Sequence, residues 1–168
     1  MIEKIKMVDV GDKEATKREA IARGYLSLKK ETVQAIKEGK IPKGDVLSVA
    51  NVAGILAAKK TASLIPMCHP LRITSVKIDF ELKEDTIIIN SKVSAIDRTG
   101  VEMEALTAAA LSALTIYDMC KGVDREISIS RIELIEKKGG KSGHFIKKRV
   151  LKKSEISDYP DKNLNYTD

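Results

Sequence analysis

An acid and a base stand three residues apart near the end of one long apolar stretch. In GVEMEALTAAALSALTIYDMCK, residues 100–121, Asp118 and Lys121 fall about 60° apart on a single helical face. A carboxylate and an ammonium at that spacing hold each other charged and shift each other's pKa, which equips the pair for proton transfer. The ordinary alternative is a helix-end salt bridge, with the lysine favoured by the helix dipole. The other ionisable groups of the stretch, Glu102 and Glu104, lie in its first turn. Charges confined to the two ends of a buried helix point to sites at its mouths.

Two further segments carry candidate groups. In SLIPMCHPLR, Pro66 and Pro70 bracket Met67, Cys68 and His69, which excludes helix and favours a fixed, extended loop. A histidine held in that way suits hydrogen bonding to a ligand, although a loop histidine satisfied by its neighbours fits equally well. GGKSG at 139–143 looks like a phosphate-binding loop but lacks the required glycine five residues before Gly140, where Ile135 stands. It reads either as a basic loop wrapping phosphate oxygens or as a solvated charge run. Cys68, His69, Cys120 and the two glutamates do not read as a zinc site. Adjacent Cys and His suit one metal poorly, and no CxxC or HxxxH spacing exists.

The elements that must position these groups are legible in part. Residues 100–121 form one helix: Ala and Leu dominate, no Pro interrupts, and Gly122 follows its end. Apolar residues go almost all the way round, so the helix is covered on more than one side. Glu102 and Asp118 are then about 24 Å apart along the axis and point about 160° apart. One subunit cannot bring both ends to one small substrate, and an oligomer that covers the outer face would let two subunits do so.

Before this helix come an arm over 1–17 with a turn at Gly11-Asp12, a strand over Arg18–Leu28 and a helix over Lys29–Glu38. A second helix spans Val46–Thr61, capped by Asp45, with Val49, Val52, Ala53, Leu56 and Ala57 on one side. A hairpin follows, Ser75–Leu82 and Thr86–Ile96, turning at Glu84-Asp85. After the long helix comes a strand over Glu126–Glu136, whose apolar phase slips near Ser130-Arg131 as at a bulge. Gly139, Gly140 and Gly143 make a mobile basic loop. The order predicts an α+β fold, a ferredoxin-like antiparallel sheet with helices packed on one face. Residues 1–146 form a single catalytic domain, and 147–168 a loosely ordered extension, basic and then acidic.

With 168 residues, 43% hydrophobic and 32% charged, the chain has the makings of one globular domain with an aliphatic core. Its net charge of +6 is concentrated: residues 137–153 contribute +8, leaving −2 for the remainder. The charged N-terminus argues against a secretory signal, no run of about 18 apolar residues suggests a membrane span, and the two cysteines lack a spacing motif. A reduced, cytoplasmic protein is expected. A small basic RNA-binding module would fit the fold and the tail, but Phe80 is the only aromatic in the central hairpin, too few for base stacking. A purely structural oligomer, its charged helix ends serving as interface salt bridges, is the other alternative.

Longer strings narrow the choice. MVDV at 7–10, KGDV at 43–46, LIPMCHPL at 64–71, TGVEMEALTAAALSALTIYDMCK at 99–121 and GGKSG at 139–143 resemble the molybdenum cofactor biosynthesis protein C family, the cyclic pyranopterin monophosphate synthases. The resemblance covers about residues 7–145. It implies a reaction in which a cyclised dihydro-GTP made by an upstream radical SAM enzyme is rearranged to a cyclic pyranopterin monophosphate, with release of pyrophosphate. The product passes on toward molybdopterin synthase. By the same resemblance Asp118, Lys121 and Lys43 match catalytic positions. Met67, Cys68, His69, Met103 and Glu104 match substrate-binding segments, and Glu102, Asp9, Arg18, Lys137 and Lys141 match positions lining the pocket. It also implies a homohexamer, a trimer of dimers, with pockets between subunits. No redox cofactor or resident metal is expected, though Mg²⁺ could accompany the triphosphate. The lysines suit the phosphates, and a carboxylate suits the N–H donors of a guanine-like edge.

Overall fold

The computed structural model describes residues 5–141 and 143–148. The chain runs β1 (Thr16–Ser27), α1 (Lys30–Lys37), α2 (Val46–Lys59), α3 (Thr61–Leu64), β2 (Ile73–Leu82), β3 (Thr86–Asp97), α4 (Glu102–Cys120), β4 (Ser128–Lys138) and β5 (Phe145–Ile146). The strands form one antiparallel sheet in the order β2-β3-β1-β4-β5. Without β5, and with α1–α3 together forming the first helical crossover, the elements follow the β-α-β-β-α-β of the ferredoxin-like fold, as the sequence predicts.

One face of the sheet carries the core. Ala20, Ala22 and Leu26 of β1 and Ile87, Ile89, Val93 and Ala95 of β3 are buried there, at even spacing along each strand. They join one core with Ala105, Ala108, Ala109, Ala113 and Ile116 of α4. Small side chains on both partners bring the helix close to the sheet. Ser91, the one polar residue of that β3 row, is satisfied by donating to the Ala105 carbonyl at 2.6 Å.

The expectation for α2 needs correction. Val49, Val52 and Leu56 do share a side, but that side faces outward, 46–57% exposed. The buried side is the small-residue row Ala50, Gly54 and Ala57. Gly54 is the reason. A Cβ there would overlap Ser112 Oγ and Ile78 Cδ1 and lie 3.0 Å from the Ala108 carbonyl, so α2 and α4 cross at closest approach where no side chain intervenes. Ser112 bridges the crossing by donating to the Ala50 carbonyl at 2.9 Å. Asp45 caps α2 as expected, accepting the Ser48 N–H at 3.1 Å. The helix stops at Lys59 rather than Thr61, and α3 follows as a separate turn.

α4 also keeps one open side. Met103, Leu114 and Tyr117 are exposed, with Leu106 and Ala110 half-buried between them, at helical spacing along a single stripe. Within one chain the helix is therefore covered on two sides, not all round.

The β4 bulge falls where the apolar phase slips: Tyr25 pairs with Arg131 and Leu26 with Ile129, so Ser130 is the extra residue. The basic loop leads into a short strand that the sequence pattern does not announce. Gly139 and Gly140, with φ of 101° and 74°, turn the chain back, and Phe145 and Ile146 pair with Lys137 and Glu136. This stretch is the turn of a β-hairpin, anchored on Arg18. The loosely ordered extension expected from residue 147 lies, from residue 149 on, outside the described residues.

Candidate functional site

Three of the expected residues meet at the C-terminal end of α4. Lys121 Nζ lies 2.7 Å from Asp118 Oδ1, one helical turn away. Lys43 Nζ reaches Asp118 Oδ2 at 2.7 Å and the Asp118 carbonyl at 2.9 Å, so it also caps an end of the helix where carbonyls lack partners. Lys43 is presented by a turn that Gly44 N–H closes onto the Ile41 carbonyl at 2.9 Å, while the Ile41 side chain is buried in the core. The Lys121 hydrogen bond, and then that of Lys43, hold the Asp118 carboxyl down at about 2. The Lys121 ammonium is held above its ordinary range by the same contact. All three side chains are about half exposed and accessible to an anion.

Four other residues meet at the opposite end. Glu102 Oε1 accepts from Lys137 Nζ at 2.8 Å, across from the end of β4. Arg18, Glu102, Lys137 and Lys141 line a cleft of about 830 Å³. Arg98, Lys13 and Lys138 line it too, against Asp12, Glu14 and Glu19, and the walls are cationic on balance. Arg18 is spread over the cleft's rim, donating to the carbonyls of Asp97 (3.3 Å), Arg98 (3.3 Å) and Gly139 (3.2 Å). Gly100 leaves room for the Glu102 carboxylate, which a Cβ at residue 100 would overlap.

Glu104 faces inward from the first turn of α4 and is 3% exposed. Burial, reinforced by the nearby Glu102 charge, pushes its carboxyl up to about 7. Burial, and then the Glu104 charge, raise the Cys68 thiol. The 64–70 loop is a turn at its start, with Cys68 N–H on the Ile65 carbonyl at 3.1 Å, rather than extended throughout. Within it Cys68 and His69 are half-buried and Met67 is exposed. Met103 belongs to the open stripe of α4. Asp9 is not brought to the cleft wall: it accepts the Gly11 N–H at 2.8 Å, and Arg98 ties that turn to the rim through the Gly11 carbonyl at 2.9 Å. Among the described residues, no three His, Cys, Asp or Glu side chains are grouped to hold a metal. No helix there is long and apolar enough to cross a membrane.

The sequence reading missed Arg98, Lys13 and Lys138. Each is an ordinary surface cation by local pattern, and only the antiparallel pairing of β1 with β3 and β4 brings them to one cleft.

The geometry defines a class: a small α+β domain with a lysine-clamped carboxylate at one end of a helix and a cationic cleft at the other, suited to a phosphorylated ligand. The MoaC family model matches residues 7–140, and the chain belongs to the MoaC family. Its relatives include proteins named cyclic pyranopterin monophosphate synthase. The one from Thermomicrobium roseum is 59% identical over 140 residues, spanning 82% of this chain and 84% of the relative. The one from Desulfitobacterium hafniense is 56% identical over 148 residues, 88% and 91% of the two chains. The one from Clostridium botulinum is 57% identical over 142 residues, 83% and 89%.

Proposed function

We infer that this chain is a cyclic pyranopterin monophosphate synthase, a lyase of molybdenum cofactor biosynthesis. It rearranges a cyclised dihydroguanosine triphosphate, releases pyrophosphate and closes a cyclic phosphate. The family and the names of its relatives support the reaction. The observation that carries the residue assignment is the convergence of Lys43 and Lys121 on Asp118, each at 2.7 Å.

That arrangement has a chemical consequence. Phosphate oxygens compete with Asp118 for the two ammonium groups. When the lysines turn to the ligand, the contacts that keep the Asp118 carboxyl near 2 are lost and its basicity rises. Substrate arrival therefore converts a quenched ion cluster into a proton acceptor beside two proton donors. At the other end Glu102 accepts from a guanine-like edge. Glu104, near its midpoint at neutral pH, is available in either protonation state. Arg18, Lys137 and Lys141 supply charge to the phosphates, with Mg²⁺ accompanying them as part of the substrate. Met67, Cys68, His69 and Met103 flank the base, and Asp9 acts on the rim through its turn. The overall rearrangement is redox-neutral and calls for no redox cofactor.

The two ends of α4 are about 24 Å apart, so each complete site draws on two chains. The open stripe of α4 and the outward apolar residues of α2 are assigned to contacts between copies, consistent with a hexamer built from dimers. An RNA-binding reading is disfavoured because Phe80 packs toward the core rather than offering a stacking surface.

Lys43→Ala and Asp118→Ala test the assignment, with pyrophosphate release and light-scattering mass as readouts. Both variants are expected to assemble normally and lose turnover. Dissociation to monomers that keep full activity per chain would overturn it.

A further inference from the structure

Lys43, Asp118 and Lys121 are half exposed, and ion pairs in that setting hold geometry weakly. Something else must fix the turn that carries Lys43 against the helix end that carries Asp118. A second, buried junction ties the turn after α4 to the start of α1, the helix that leads into the Lys43 turn.

Asp124 is 1% exposed and lies in the turn after α4. Its Oδ2 accepts the Lys29 N–H at 2.8 Å and the Thr32 hydroxyl at 3.0 Å, and its Oδ1 accepts the Glu126 N–H at 2.9 Å. The carboxylate thus grips the start of α1, where negative charge suits the helix dipole. Burial pushes the Asp124 carboxyl upward, but these donors outweigh it and keep it below its ordinary range.

Both routes from Asp124 to the lysine cluster run through hydrogen-bonded chain, the backward one within a single turn and the forward one along α1. Backward, Val123 and Asp124 N–H both reach the Cys120 carbonyl, and Lys121 N–H reaches that of Tyr117. Forward, Gly39 (φ 66°) follows the end of α1 at Lys37, Lys40 N–H bonds the Ala35 carbonyl, buried Ile41 pins the chain, and the Lys43 turn follows. Cys120 is fully buried; burial and then the Asp124 charge raise its thiol to about 11, against the opposing Lys43 charge.

We propose that Asp124 is a positioning residue, the buried clasp that sets Lys43 against Asp118 and Lys121. This rests on the proposed roles of those three, and its test does not depend on them.

The variants are Asp124→Asn, which sets an amide N–H₂ against at least one N–H donor, and Thr32→Val, which removes a single hydrogen bond at nearly constant shape. The Asp118 carboxyl is titrated in the ligand-free oligomer by infrared difference against Asp118→Asn, and kcat and KM are measured alongside. Asp124→Asn is expected to raise the Asp118 midpoint by about one unit and lower kcat about tenfold with little change in KM. Thr32→Val shifts both in the same direction by less, and decides the matter if Asp124→Asn does not fold. An unmoved Asp118 midpoint in folded variants overturns the proposal. A moved midpoint with unchanged turnover upholds the clasp and instead removes Asp118 from catalysis.

Discussion

Arg18 and Gly140 occupy space that only the absence of a side chain makes available: a Cβ on Gly140 would overlap the Arg18 guanidinium. Gly139 beside it faces the Lys17 carbonyl in the same way, and both have positive φ. The obstacles differ in kind. A guanidinium swings aside, whereas a backbone carbonyl moves only with its strand. Gly140→Ala is expected to cost about 1 kcal/mol from its φ, and Gly139→Ala more, about 2–3 kcal/mol. Urea unfolding of the two variants checks the order. With Arg18 in its proposed phosphate-binding role, Gly140→Ala is also expected to move it from the cleft rim and raise KM.

The second prediction concerns Glu104. Its carboxyl is at about 7 in the folded chain against an ordinary 4.5, so the native state holds a proton that the unfolded state has lost between those values. Stability from this group is therefore greatest below 4.5 and falls as pH rises through about 7. Glu104→Gln should remove that slope. Thermal melts across the window decide it: a variant as pH-sensitive as the parent would refute the buried, proton-holding carboxyl.

The proposed sharing of sites between chains makes a quantitative prediction. Asp118→Ala is expected to disable one end of α4 and Lys137→Ala the other, leaving each variant inactive alone. Co-refolded in equal amounts, they pair at random, and about a quarter of the sites combine two intact halves. Activity near that fraction is expected after mixing, and none if each site belongs to a single chain.

A fourth prediction tests the helix crossing. Gly54→Ala places a methyl against Ser112 and Ile78 and breaks the Ser112–Ala50 bond. Its expected cost is about 1–3 kcal/mol in urea, large for so small a change at a helical position where Ala is otherwise preferred.

What the sequence discloses follows from range. The β2–β3 alternation, the Asp45 cap, the Ser130 bulge and the Asp118–Lys121 spacing are local patterns, and the structure contains each. The buried face of α2 was not legible, because apolar residues lie on both its sides and only Gly54's contact with α4 decides between them. Lys43 and Asp118 are 75 residues apart, and no periodicity joins them; the family resemblance alone brought Lys43 forward. Asp124 reads as a polar turn residue until α1, 92 residues earlier, is folded onto it. The anchoring of the Gly139-Gly140 loop is equally illegible locally, because Arg18 is 121 residues away.

Because α4 is a single uninterrupted helix with function proposed at both ends, its length acts as a gauge. One inserted residue would advance Asp118 by about 1.5 Å and swing it about 100° around the axis relative to Glu102. Substitution along its faces can be absorbed by repacking, but insertion or deletion between residues 102 and 118 puts one end out of phase with whatever it must meet.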